Sequence, residues 1–314
     1  MMRPTCWQGL LAAATLMLSP AVMAGSTAYV AAWDTLYRLD LSTARATKIG
    51  AGAGFNDIEG LAIAPDGTLY GAADGTAGSG SQMTDFFFRI DPQAGLGHLV
   101  GTLGGLSGRG TNGQLDYGLT FTCDGRLWMS SKTTGMLWQV DRATGSVTEV
   151  FDMQAPISDL AARGNKLWGV GVEWGVGSHD QQALYEIDPE THTVSRIGGL
   201  GLTEAFSSAG AAFDANGTLW ATLDSQPPNV NLASRLARID VATGRATVVG
   251  SISGVEENVS VRALAITPPT GCAGDPDPDG TPEDVAIVPG PTLPWLLGLA
   301  GMALWGGRRR LRRG

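Results

Sequence analysis

The chain predicts an all-β fold, a five-bladed β-propeller of four-stranded antiparallel blades over residues 25–268. Three observations carry this. A pentapeptide recurs as Leu-Tyr-Arg-Leu-Asp at 36–40, Phe-Phe-Arg-Ile-Asp at 87–91, Leu-Trp-Gln-Val-Asp at 137–141, Leu-Tyr-Glu-Ile-Asp at 184–188 and Leu-Ala-Arg-Ile-Asp at 236–240. Its closing residues, Asp40, Asp91, Asp141, Asp188 and Asp240, lie 51, 50, 47 and 52 residues apart, the length of one propeller blade. The first repeat lacks an opening strand, and a spare strand at 261–266 follows the last repeat. Pairing the two closes the ring and hides both sheet edges.

Each repeat has the same parts. The first strand ends in a tight turn: Pro65-Asp66-Gly67, Cys123-Asp124-Gly125, Arg163-Gly164-Asn165 or Ala215-Asn216-Gly217. Asp-Gly and Asn-Gly suit two-residue hairpins in which both central residues take positive φ. The second strand carries Tyr29, Tyr70, Trp128, Trp168 or Trp220. An aromatic at the same place in every blade reads as packing between blades, not as a sugar platform. The pentapeptide is the third strand, and its aspartate reads as a turn former accepting backbone hydrogen bonds. The fourth strand is exemplified by 46–50, 146–151 and 246–250. Only Trp33-Asp34 echoes the WD40 dipeptide and no Gly-His partner recurs, which argues against that family.

The segments outside the ring read as addresses. Residues 1–24 have a signal-peptide pattern: Arg3, an apolar run from Leu10 to Leu18, then Val22-Met23-Ala24 before a cleavage point at Gly25. Residues 269–284 are an acidic Pro/Gly linker. Within it Asp275, Asp277 and Asp279 precede Gly280 with the opening spacing of a calcium loop. Ala286 stands where such a loop closes on glutamate, so a solvated acidic spacer is the other reading. Residues 285–314 combine prolines 289, 291 and 294, a short hydrophobic helix over 293–305, and arginines 308, 309, 310, 312 and 313. The apolar run is short for an independent spanning helix. Terminal arginines favour the cytoplasmic side and leave the ring outside.

This tail resembles the bacterial C-terminal sorting signals called PEP-CTERM and IPTL-CTERM. Pro291-Thr292-Leu293 before Trp295 looks like the second type, and Val288-Pro289 before Pro291 like the first; Gly290 departs from the usual glutamate. The resemblance implies an exosortase-type sorting enzyme as partner and a location in the bacterial periplasm, cell envelope or outer surface. A plain membrane anchor is the simpler reading of the same helix.

Charge narrows the partners. Of 21 Lys and Arg, six lie in the two terminal segments, which leaves 15 against 30 acidic residues. A body this acidic repels phosphate backbones, so nucleic acid is not expected. His98, His179 and His192 share no spacing, which argues against zinc, and no cofactor motif is present. Cys123 and Cys272 both fall on the tight-turn face and are a candidate disulfide or two free thiols.

Alternating strands put the long loops, including 51–57, 104–116, 173–182 and 224–234, on one face, where binding usually evolves. Residues just before each innermost strand should ring the axis there. The ligand-binding candidates are Asp57, Glu59, Asp116, Tyr117, Asp159, Trp174 and Arg262. Phe55 and Phe206 either stack on sugars or pin their loops. Converging carboxylates suit a cation, a glycan or a basic protein surface, and the sequence favours a non-catalytic binding module. The alternative is a glycoside hydrolase using Glu59, Asp116 and Asp159 as acid and base.

Overall fold

The computed structural model describes residues 26–74, 85–103, 106, 116–172, 182–225, 232–256, 259–267 and 272. The segment read as a signal peptide, Trp174, the acidic linker with Asp275, Asp277 and Asp279, and the C-terminal hydrophobic segment lie outside the described residues. Among the described residues there is no α-helix and no helix long and apolar enough to cross a membrane.

Twenty strands form five four-stranded antiparallel sheets. Blade 1 comprises β1 (Thr27–Ala32), β2 (Thr35–Asp40) and β3 (Arg45–Ile49), completed by β20 (Val261–Thr267) as its innermost strand. Blade 2 runs outward through β4 (Ile58–Ile63), β5 (Leu69–Ala73), β6 (Phe86–Ile90) and β7 (Gly97–Thr102). Blade 3 holds β8 (Tyr117–Phe121), β9 (Leu127–Ser131), β10 (Met136–Val140) and β11 (Val147–Asp152). Blade 4 holds β12 (Ile157–Arg163), β13 (Lys166–Gly171), β14 (Ala183–Asp188) and β15 (Thr193–Gly199). Blade 5 holds β16 (Phe206–Phe213), β17 (Leu219–Ser225), β18 (Arg235–Ile239) and β19 (Ala246–Ser251). The closure pairs β20 with β1 from Thr27 opposite Thr267 to Ala32 opposite Val261.

The core is not central but distributed. Five apolar clusters each fill one gap between neighbouring blades. The repeated aromatics sit in them one apiece: Tyr29, Tyr70, Trp128, Trp168 and Trp220 are all buried. Tyr70 stacks on Phe87, and Trp168 meets Phe213 edge-on from the next blade. The indole N–H groups of Trp128 and Trp220 donate to Thr122 Oγ1 (3.1 Å) and Asp214 Oδ2 (2.9 Å), so burial strands no donor.

The pentapeptide aspartates act as the turn chemistry requires. Asp40 Oδ1 accepts from the backbone N–H of Ser42 and Thr43, Asp91 Oδ1 from Gln93 and Ala94, and Asp141 Oδ1 from Ala143 and Thr144. Of the four first tight turns, Gly164-Asn165 is a two-residue loop between the paired Arg163 and Lys166, and the other three differ from that form. Gly67, Gly125 and Gly217 take positive φ, but Asp66, Asp124 and Asn216 do not. Each glycine N–H bonds back three residues, to Ala64, Thr122 or Asp214, in a three-residue loop with one left-handed position. An L-aspartate in right-handed geometry avoids the steric cost that a second positive φ would impose.

Five blades make a tight ring, and its innermost strands nearly touch. A Cβ on Gly118 would lie 2.4 Å from Asp159 Cα, and one on Gly210 would lie 2.6 Å from Leu264 N. Only glycine permits these approaches. Toward the tight-turn end of the axis the innermost strands line a cavity of about 30 Å³, room for little more than water.

Cys123, in the turn after β8, is bonded to Cys272, five residues beyond β20. The link joins blade 3 to the end of the closing strand across the tight-turn face. Its sequence separation of 149 residues makes it a long-loop crosslink. Chain-entropy arguments put its stabilisation at up to about 5 kcal/mol. Reductant is expected to lower the melting temperature of the native protein and leave a Cys123→Ser, Cys272→Ser double variant unmoved. Equal melting of the native protein with and without reductant would contradict this.

Candidate functional site

The long-loop end of the axis is a polar cup. Asp57 precedes β4 and Asp116 precedes β8, both in left-handed backbone at φ 50° and 47°. That turn aims their side chains across the ring toward Arg262, the second residue of β20. Arg262 Nη1 lies 3.0 Å from Glu59 Oε1, 3.3 Å from Asp57 Oδ1 and 3.9 Å from Asp116 Oδ1. Its Nε lies 4.0 Å from Asp224 Oδ2. Lys132, after β9, reaches Asp116 Oδ1 at 3.2 Å and donates to the Ser207 carbonyl at 2.5 Å. Blades 1, 2, 3 and 5 thus meet in one charge network.

Two of the residues that the sequence places on the axis face away from any ligand. Asp159, in β12, is fully buried. Its Oδ1 accepts the N–H of Leu119 and Leu160 at 2.8 Å each, and its Oδ2 accepts that of Ala211 at 2.7 Å. It ties the innermost strands of blades 3, 4 and 5 together. Tyr117 is buried, and its hydroxyl donates to Asp85 Oδ2. Phe55 stacks on Phe88 with centroids 4.0 Å apart, and Phe206 is buried, so both pin their loops.

Asp74, Asp85, Lys132 and Asp224 belong to the same network, and sequence reasoning missed them. Asp74, Lys132 and Asp224 share a legible trait: each lies at or next to the end of an apolar second strand of its blade. Asp74 is the unusual member. It is 4% exposed, yet neither carboxylate oxygen accepts a hydrogen bond. Asp57, Glu59 and Asp74 each offer a carboxylate oxygen within 4.8 Å of the other two.

The titration of the cup follows from this crowding. Burial raises Asp74 to about 7, helped by the charges of Asp85, Asp57 and Asp116 against Arg262. Burial likewise raises Asp57, and raises Glu59 well above the carboxylate range with Asp116 and Asp74 adding to it. Burial also pushes on Asp116, but Lys132, a hydrogen bond shared with Glu59, and Arg262 outweigh it and leave Asp116 below its ordinary value. Burial works against the Arg262 charge, and Glu59, Asp57, Asp116 and Asp224 together overcome it. A raised and a lowered carboxyl side by side is the split that acid–base catalysts use. Here both oxygens of Glu59 are engaged, by Arg262 and by the Tyr117 N–H at 3.2 Å, and Asp159 has backbone donors on both of its oxygens.

Trp33 is the one aromatic among the large exposed hydrophobic residues described, at 53% exposure. Its carbonyl accepts the Ile58 N–H at 2.8 Å, one residue from Asp57, which places it at the rim of the cup.

Fold and site together define a five-bladed β-propeller with an acidic axial cup. The chain belongs to the family described as a repeat of unknown function, DUF6923, whose pattern matches residues 64–226. Among solved structures it is similar to a protein of unknown function from Bacteroides caccae, at 10% identity and a TM-score of 0.46, covering 77% of this chain and 99% of that one. It is also similar to virginiamycin B lyase from Staphylococcus aureus, at 14% identity and a TM-score of 0.36, covering 68% of this chain and 62% of that one. No curated protein matches it.

Proposed function

We propose that this propeller is an exported, non-catalytic binding module whose acidic cup engages positively charged groups of a ligand. The observation that carries the reading is the charge imbalance of the cup. Among the described residues, Asp57, Glu59, Asp74, Asp85, Asp116 and Asp224 face only Arg262 and Lys132 as cations. A concave site lined by one sign of charge concentrates ligands of the other. The engaged oxygens of Glu59 and Asp159 weigh against the glycosidase alternative. Export is supported by the signal-peptide pattern at 1–24 and by the Cys123–Cys272 bond, since disulfides persist in oxidising compartments. The 285–314 tail is proposed as the sorting signal or anchor, and Cys272 lies on the ring face opposite the cup.

Titration of the purified protein with a tetralysine peptide, beside neutral hexasaccharides as controls, tests the reading. Binding of the peptide is expected, weakened about tenfold or more in high salt and by Asp57→Asn. Trp33→Ala should weaken it less. Absence of peptide binding would refute the charge argument. Polysaccharide turnover lost in Asp116→Asn would establish the hydrolase instead.

A further inference from the structure

We propose that the cup holds a structural divalent cation, calcium, on the carboxylates of Asp57, Glu59 and Asp74. This inference shares the cup with the binding reading but does not depend on it, because the cation needs no other ligand. The donors are all carboxylate oxygens, with no nitrogen or sulfur, which suits a hard cation. Their oxygens lie within 4.8 Å of one another, close enough to share one ion through Ca–O contacts of ~2.4 Å.

A cluster of acids alone says little. The independent sign is Asp74, a buried carboxylate aimed at Asp57 and Glu59 with no hydrogen bond on either oxygen. Buried polar atoms in native proteins are nearly always satisfied, and an exception asks for a missing partner. Other buried acids in this ring have hydrogen-bond partners: Asp159 has three backbone donors, and Asp85 accepts the Tyr117 hydroxyl on Oδ2. The Arg262 guanidinium neutralises Glu59 and Asp57 from one side, and Asp74 lies outside the ion-pair distances of both Arg262 and Lys132 among the described residues. The Asp74 N–H approaches the Asp57 carbonyl at 3.3 Å, so the two residues are held in place by backbone. A cation would link the start of β4 to the end of β5.

The test uses the full-length protein stripped with EDTA. At pH 7.5, millimolar calcium is expected to raise the melting temperature by roughly 5–10 °C, and calorimetric titration with calcium chloride should show binding at one site. Asp74→Asn should abolish both effects. That variant removes an unpaired charge, so in EDTA at pH 7.5 it should melt no lower than the native protein, which keeps folding out of the question. The linker acids Asp275, Asp277 and Asp279 are untouched in it. A calcium response that survives Asp74→Asn belongs to them and overturns the proposal. So does a native protein whose melting temperature is indifferent to calcium. Tetralysine binding measured in EDTA reports on the binding reading separately, so either idea can fail alone.

Discussion

Deleting Val261–Thr267 is expected to unfold the whole propeller rather than trim it. The deleted strand is the innermost of blade 1 and hydrogen-bonds β1 along six residue pairs. Val261, Ala263, Leu264, Ala265 and Ile266 are all buried, and they divide between the two gaps that flank blade 1. Removing them exposes apolar surface on both sides at about 25 cal/mol per Å². It also leaves β1 as an open edge at the centre of the ring. The combined loss exceeds the 5–15 kcal/mol by which a domain of this kind is ordinarily stable. Circular dichroism and gel filtration of the internal deletion, which retains Cys272, should report an expanded, non-cooperative chain. A permutant carrying 261–267 ahead of Thr27 through a hairpin turn should fold again, because Thr27 and Thr267 are paired neighbours. A deletion that melts cooperatively at the native temperature would show that this closure does not hold the ring.

Asp159→Ala is expected to be the most damaging single substitution in the cup region, costing about 3–6 kcal/mol. It strands the Leu119, Leu160 and Ala211 N–H groups, each buried, at about 1–3 kcal/mol apiece. These donors exist because an innermost strand has a sheet neighbour on only one side, so its axial N–H groups need another acceptor. Burial raises the Asp159 carboxyl well above its ordinary pKa against those three bonds. Asparagine, which mimics the neutral carboxyl and keeps one acceptor oxygen, should therefore cost less than alanine. Urea denaturation of the two variants measures this. A loss below about 1 kcal/mol for alanine would mean that water replaces the carboxylate.

The blade count, the strand order and the closure were legible because they rest on repetition. Five copies of one pentapeptide at a constant period leave little freedom in where strands and turns fall, and a missing first strand with a spare last one admits one pairing. The site was legible only in part. Asp57, Glu59, Asp116 and Arg262 were found because they precede or begin innermost strands, a position that topology alone sends to the axis. Asp74 and Lys132 follow second strands and Asp224 lies at the end of one, one step farther out, and nothing in their spacing says that a five-bladed ring is tight enough to bring them in. Asp159 shows the converse: its sequence position matches the other axial acids, yet it spends every oxygen on backbone.

The sequence by itself determined an acidic, five-fold repeated ring that closes on its own C-terminal strand, because period and alternation are properties of the chain. Only the tertiary structure decided which acids face a ligand and which brace the ring. Hydrogen-bond partners 40 and 52 residues away, as for Asp159, or their absence, as for Asp74, arise from packing across blades. No local pattern encodes that packing.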